Sequence, residues 1–251
     1  MLTIIGTGHV FRISEAVSFL TRQSWPDAVC VELDPMRYHA LTGDKEALRN
    51  DLRERGIDPD ASKEERMKAA PVIYRKSAKY QEKVSKENKV SAGADMAAAI
   101  GAAKSVDAQI FCIDLDGQES LARMWNEMHG MERLRYRMST IADNLFKKSR
   151  VNKTQKDYSK DQAAYIEGMR KKYPTLVRVL IDERNVHMAG EIMKVCSDHE
   201  NVVAVVGDGH VDGLLHLIHD VGDIRTVRLV DLMDPEKLNK IKSEFWEAPE
   251  Q

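Results

Sequence analysis

Two histidines stand in nearly the same setting at opposite ends of this chain. Gly6-Thr7-Gly8-His9 closes the apolar run that begins at Leu2, and Gly207-Asp208-Gly209-His210 closes the run that begins at Val202. Two further apolar runs end in acids, one at Glu32 and Asp34, the other at Asp114 and Asp116. Two neutral imidazoles with one or two carboxylates suit a divalent transition metal. Such an ion lowers the pKa of a bound water and polarises a carbonyl, which is hydrolytic chemistry at neutral pH. Plainer roles exist for the same residues. A histidine at a strand end can be a structural hydrogen-bonding group, and a carboxylate after a strand commonly caps the next helix. Gly-x-Gly can also cradle a phosphate, but neither copy completes the Rossmann fingerprint. The repetition of one unusual tetrapeptide favours a shared site.

Other polar clusters divide in the same way. Arg184 and Asn185 lie in Asp182-Glu183-Arg184-Asn185-Val186-His187, which reads either as a salt-bridged helix face or as a pair reaching toward a developing oxyanion. His216 and His219 interleave with Leu217 and Ile218, which suits surface or packing roles. No serine or cysteine stands in a nucleophile elbow, so acyl-enzyme chemistry is not indicated.

To converge, these residues must share one edge of a sheet. Leu2–Ile5, Ala28–Leu33, Gln109–Ile113, Val202–Val206 and Thr226–Val230 are mostly continuous apolar runs, the mark of strands covered on both faces. Helical periodicity follows the first, third and fourth, and Thr175–His199 reads as a helix returning to the sheet. The expected fold is α/β: a mostly parallel central sheet flanked by helices, with ligands bound at the strand carboxyl ends. Charged, helix-favouring stretches at about 44–90 and 118–172 are expected as helical insertions forming a lid or subdomain on a single domain of residues 1–251.

The bulk numbers set limits. A chain of 251 residues with 43% hydrophobic and 31% charged content can bury a substantial core. The net charge of −2 gives no reason to expect a nucleic-acid partner. Positive charge is nonetheless concentrated, with six Lys/Arg against two Glu in 71–90 and nine against three acids in 147–172. Such faces are ordinary solvated surface, or else meet an anionic ligand or partner. Cys30, Cys112 and Cys196 are widely spaced and form no CxxC, which fits buried thiols in a reducing compartment. The chain opens on a strand and has no stretch long enough to span a membrane, so a cytoplasmic protein is expected.

Taken together, Gly6-Thr7-Gly8-His9-Val10, Val31-Glu32-Leu33-Asp34 with Arg37-Tyr38, Gly93-Ala94-Asp95-Met96, Glu183-Arg184-Asn185 with Met188-Ala189, and Val205-Val206-Gly207-Asp208-Gly209-His210 resemble the TraB/PrgY family. That family is similar to the TIKI and GumN proteins and is grouped with ChaN and erythromycin-esterase-like folds. The resemblance implies a cleft in an α/β core. TIKI members are metal-dependent proteases, and PrgY-type members reduce the activity of a peptide pheromone. Carried over by position, His9, Glu32 and His210 would hold a divalent metal (Mn, Co or Zn). Glu32, Arg184 and Asn185 would be catalytic, and Arg37 and Tyr38 would contact substrate. Leu115 stands where many TraB members have arginine, and Asn185 where they often have aspartate, closer to the TIKI and GumN form. The expectation is a metal-dependent, peptidase-like hydrolase. The alternative is a protein that binds or sequesters a peptide or small molecule without turnover. A homo-oligomer is compatible with either.

Overall fold

The computed structural model describes residues 1–8, 11–70, 74–75, 78–79, 91, 93–145 and 162–246. Five short strands, β1 (Leu2–Thr7), β2 (Ala28–Val31), β3 (Gln109–Cys112), β4 (Val202–Gly207) and β5 (Ile224–Val227), form one sheet in the order β3-β2-β4-β1-β5. Every pairing is parallel, with Leu2 opposite Val202 and Ala28 opposite both Val202 and Gln109. The α/β class and parallel sheet expected from the apolar runs are therefore observed.

Alternate residues of the central strands go to opposite faces, and both faces are buried. Ile5, Val29, Val31, Val203 and Val205 pack against α1 (Ser14–Gln23) and α5 (Ala94–Ser105). Leu2, Ile4, Cys30, Ala204 and Val206 pack against α10 (Glu183–Asp198) and α11 (Asp208–Leu217). Leaving water is worth about 1.5–3 kcal/mol for each large aliphatic side chain, which is why these strands tolerate almost no polar residue. Cys30 is buried on this inner surface, and burial pushes its thiol pKa far up, so it is an inert thiol.

The strand ends differ from expectation. β1 and β4 run on to Thr7 and Gly207, β2 and β3 stop at Val31 and Cys112, and β5 covers Ile224–Val227 rather than 226–230 because the chain enters helix α12 (Leu229–Met233). Between β2 and α5 the chain forms α2 (Pro35–Thr42), α3 (Lys45–Glu54) and α4 (Lys63–Ala69). Their ends follow local rules. Asp34 caps α2 with Pro35 at its first position, and Ser62 with Glu65 makes a capping box on α4. Between β3 and Arg178 the chain forms α6 (Gly117–Glu127), α7 (Gly130–Leu145), α8 (Gln162–Lys172) and α9 (Pro174–Val177). A small cluster of Met124, Met128 and Val179 with Trp125, Tyr136 and Leu176 holds part of this stretch together. The basic stretch around Lys147, Lys148 and Arg150 lies outside the described residues, as does most of 71–90. Helix α13 (Pro235–Trp246) closes the first face through Phe245.

The expected helix from Thr175 to His199 is interrupted. Between α9 and α10, Arg178–Asp182 forms a π turn in which the Glu183 N–H donates to the Arg178 carbonyl. Single π turns inside α-helices recur at functional sites.

Candidate functional site at the carboxyl edge of the sheet

At the centre of this sheet, neighbouring strands send their chains to opposite faces. After β1 and β2 the chain reaches helices of the α1/α5 face, while β4, which lies between them, leads to α11 on the other face. A crevice opens at the carboxyl ends of strands where the winding reverses, and open α/β folds bind ligands there. Glu32 follows β2, Asp114 follows β3 and His210 follows β4, so topology brings three of the expected strand-end residues to this edge.

Glu32 is buried one residue beyond β2, its backbone N–H donating to the Val205 carbonyl at 3.1 Å. Its Oε2 accepts from the Gly207 N–H, and its Oε1 accepts from Arg184 Nη2. A Cβ at position 207 would stand 3.1 Å from Oε2, a tight contact that the carboxylate would have to yield to by a few tenths of an ångström. Arg184, at the start of α10, spends nearly its whole donor fork here. It binds Asp114 through Nε at 2.8 Å and Nη2 at 2.7 Å, and its Nη1 donates to the Leu180 carbonyl in the π turn at 3.1 Å. Burial alone would lower the pKa of Arg184, but Glu32 and Asp114 more than offset this and raise it, so the guanidinium is permanently charged.

His210 faces both groups. Its Nε2 lies 3.2 Å from Arg184 Nη1 and 3.5 Å from Glu32 Oε1, and its Nδ1 lies 2.7 Å from Asn185 Oδ1. An arginine can only donate, so Nε2 of the neutral ring must accept and Nδ1–H must donate to Asn185. Asn185 thereby selects the tautomer. It is seated over Gly213 of α11, where a Cβ would come within 2.1 Å of Asn185 Nδ2.

Asp114 is the hub of this network, with a side chain only 1% exposed. Besides the fork from Arg184 it accepts from Arg37 Nη2. Arg37 also donates through Nε to Asp34 at 2.7 Å, and the Gly117 N–H reaches the same Asp34 at 3.3 Å. Arg37 is 34% exposed and carries the network toward solvent. Burial opposes its charge, but Asp114 and Asp34 hold its pKa above the ordinary value. Tyr38, one residue on, packs into the apolar cluster of the α1 face, its ring edge-on to His39 at 5.5 Å. Burial raises its hydroxyl pKa.

The strand-end acids therefore separate. Glu32, Asp34 and Asp114 join the network, whereas Asp116 caps α6 through the N–H groups of Gln118 and Glu119 and pairs with Arg55. His9 lies outside the described residues, and among those residues no group of three or more His, Cys, Asp or Glu forms a ready metal cage. Asp208 was not singled out as a candidate site residue from the motif. It is buried, accepts from Arg228 Nε at 3.0 Å and the Leu229 N–H at 2.8 Å, and comes so near β1 that a Cβ on Gly6 would stand 2.2 Å from its Oδ1. Its position between two glycines was the available clue: the turn carrying His210 is tied to β1 and β5 through this carboxylate.

The metal reading can be tested on the donor atoms. Nε2 of His210 and Oε1 of Glu32 are two acceptors that face each other at 3.5 Å. Ligands about 2.0–2.2 Å from one tetrahedral ion stand about 3.4 Å apart, so this pair fits a shared divalent metal. The Asn185 contact is the outer partner that a metal-bound histidine normally has. Arg184 donates to both acceptors and would compete for them with any cation.

A parallel sheet with this network at its winding reversal defines an α/β protein with a polar site at the strand carboxyl edge. Residues 1–222 match the model of the TraB/PrgY/gumN family, and the chain belongs to that family. It is similar to the uncharacterised protein MJ1365 of Methanocaldococcus jannaschii, with 26% identity over 216 residues. That match covers 86% of this chain and 52% of the relative, so the chain spans about half the length of the archaeal protein. No helix of the described residues is long and apolar enough to cross a membrane.

Proposed function

We propose that this protein is a metal-dependent hydrolase acting on peptides. The observation that supports this reading most is that Nε2 of His210 and Oε1 of Glu32, two potential ligand atoms, face each other at 3.5 Å, a separation that suits one shared ion. Glu32 and His210 would hold the ion, with His9 of the matching Gly-x-Gly-His unit as third ligand. Mn, Co or Zn suits this donor set. When bound, the metal supplies an activated water and polarises a carbonyl. The remaining work belongs to the chain. Asn185 keeps His210 in the binding tautomer, and the Gly207 N–H holds Glu32 in place. Arg184, shifted from the two acceptors, donates to the substrate oxygen as it gains negative charge. Arg37, the more exposed cation of the network, meets an anionic group of the substrate.

One observation favours a second reading, in which the protein binds a peptide or small ligand without turnover. Arg184 already supplies a cation to both acceptors, so the network is electrostatically satisfied without a metal.

Calorimetric titration of metal-depleted protein with Mn, Co and Zn separates the two, together with mass spectrometry of a peptide mixture incubated with each form. The hydrolase reading expects metal binding and metal-dependent fragments, both lost in His210→Ala and reduced in Glu32→Gln. Absence of metal binding, with peptides recovered intact, overturns it. Intact peptide that co-elutes with metal-free protein supports the second reading.

A further inference from the structure

Helix α7 carries an apolar stripe that the described residues leave exposed. Glu132 and Tyr136 face inward. Glu132 is buried and accepts from the N–H groups of Thr175 at 2.9 Å and Leu176 at 3.3 Å, while Tyr136 packs with Trp125 and Tyr173. At about 100° per residue, Met131, Leu134 and Met138 fall on the opposite side of the helix. They are 65%, 50% and 62% exposed, three of the more exposed large apolar side chains among the described residues. Their spacing of three and then four residues is that of heptad positions a, d and a. In sequence the same spacing continues at Ile141 and Leu145.

The flanks of this stripe are basic. Arg135 and Arg137 occupy the e and g positions on its two sides, both exposed, with the Arg137 guanidinium over the Trp125 ring at 5.3 Å. Arg135 donates to the Lys172 carbonyl at 3.4 Å, which brings the exposed Lys171 and Lys172 at the end of α8 alongside. Glu132, the acid within this stretch, is turned inward and engaged with backbone amides. A second copy of α7 would set arginine against arginine in either orientation, a like-charge arrangement that disfavours pairing. A membrane surface favours a wide apolar face with aromatic anchors, whereas this is a narrow row of two methionines and a leucine. Flexible methionines in a helical row suit the docking of another helix.

We propose that the outer face of α7 binds an amphipathic helix of a partner protein whose apolar a/d row is flanked by glutamate or aspartate. The apolar row packs against Met131, Leu134 and Met138, and the acids meet Arg135 and the Lys171–Lys172 end of α8.

The probe is a fluorescent synthetic helix of three heptads with Leu at a and d and Glu at e and g, titrated by anisotropy with the full chain. A twin peptide carries Lys at e and g. The acidic helix should bind at least about tenfold more tightly than the basic one, more weakly as salt is raised. The triple variant M131Q/L134Q/M138Q changes only exposed side chains and should keep the circular dichroism of the parent while losing binding about tenfold or more. Arg135→Glu should reduce the preference for the acidic peptide. Equal binding of the two peptides, or binding unaffected in the triple variant, overturns the proposal. So does a dimer in analytical ultracentrifugation that Met138→Gln dissociates. Co-sedimentation with vesicles of equal parts phosphatidylserine and phosphatidylcholine, lost in the triple variant, likewise overturns it in favour of a lipid surface.

Discussion

Asp114 shows how far a single buried residue can organise a site. Two arginines from distant parts of the chain converge on its carboxylate, Arg37 from α2 and Arg184 from α10, and Arg184 in turn holds Glu32 and contacts His210. Removing one member of such a buried set leaves the others uncompensated, which costs about 3–5 kcal/mol. Asp114→Asn, which preserves shape, should therefore lower the urea midpoint of unfolding by that equivalent at unchanged m-value. A loss within about 0.5 kcal/mol, the range of ordinary surface changes, would mean that the network is solvated and that Asp114 is not its hub. The charge states of the arginines do not limit the site. Both have pKa values raised above the ordinary guanidinium value by their carboxylate partners, so they remain charged near neutrality and their contribution falls away on the alkaline side only as pH rises through that range. Any pH dependence near neutrality has to come from elsewhere.

At the scale of elements, the site depends on two close approaches. Helices α10 and α11 come near enough for Asn185 to rest where the side chain of residue 213 would be. Gly213→Ala should push Asn185 away from Nδ1 of His210, at a cost of about 1–3 kcal/mol in stability from overpacking. Nitrogen NMR of the His210 ring reads the result directly: Nδ1-protonated in the parent, a mixture of tautomers in the variant. An unchanged ring spectrum would show that Asn185 does not select the tautomer. The second approach ties the Gly207–His210 turn to β1. Gly6→Ala would drive a Cβ into Asp208, whose Oδ1 accepts from Arg228 and the Leu229 N–H, and should likewise destabilise the fold by about 1–3 kcal/mol. Thermal unfolding of Gly6→Ala beside Gly43→Ala checks this by a contrast of mechanism. Gly43 is open around its Cβ and is strained only by its φ of 75°, so only Gly6 should respond to shortening Asp208 to serine.

The whole molecule gives the site its position and its exposure. Because β4 lies between β1 and β2 and winds the other way, residues from sequence positions as far apart as 32 and 210 meet at one crevice. A ligand that binds only the folded crevice stabilises the entire domain. At a hundredfold excess over Kd the gain is about 2.7 kcal/mol, or roughly 5–10 °C in Tm for a domain of this size. If the hydrolase reading holds, Mn, Co or Zn should produce such a shift in the parent and none in His210→Ala. An equal shift in both proteins would place the ion at a different site. The apolar row of α7 shares no residue with the network at the sheet edge, so a partner helix there and a metal at that edge should stabilise the chain independently.

The order of apolar runs, their continuity and the acids and histidines that end them were enough to establish an α/β fold with a parallel sheet and a polar edge, because burial on both faces leaves its mark in each strand separately. Glu32 and His210 were legible for the same local reason, each standing just beyond an apolar run, whereas Arg184 and Asn185 lie inside the segment expected as one helix and were marked by their charged cluster and by the family resemblance. What the chain order could not reveal was which of the charged groups pair. Asp114 and Asp116 stand two residues apart with the same local signature, yet one is the hub of the network and the other a helix cap, because the π turn before Arg184 and the reversal of winding at β4 decide which carboxylate the guanidinium reaches. Pairing of charges is a property of distances across the fold, set by strand order and helix approach. Only the tertiary structure contains those distances.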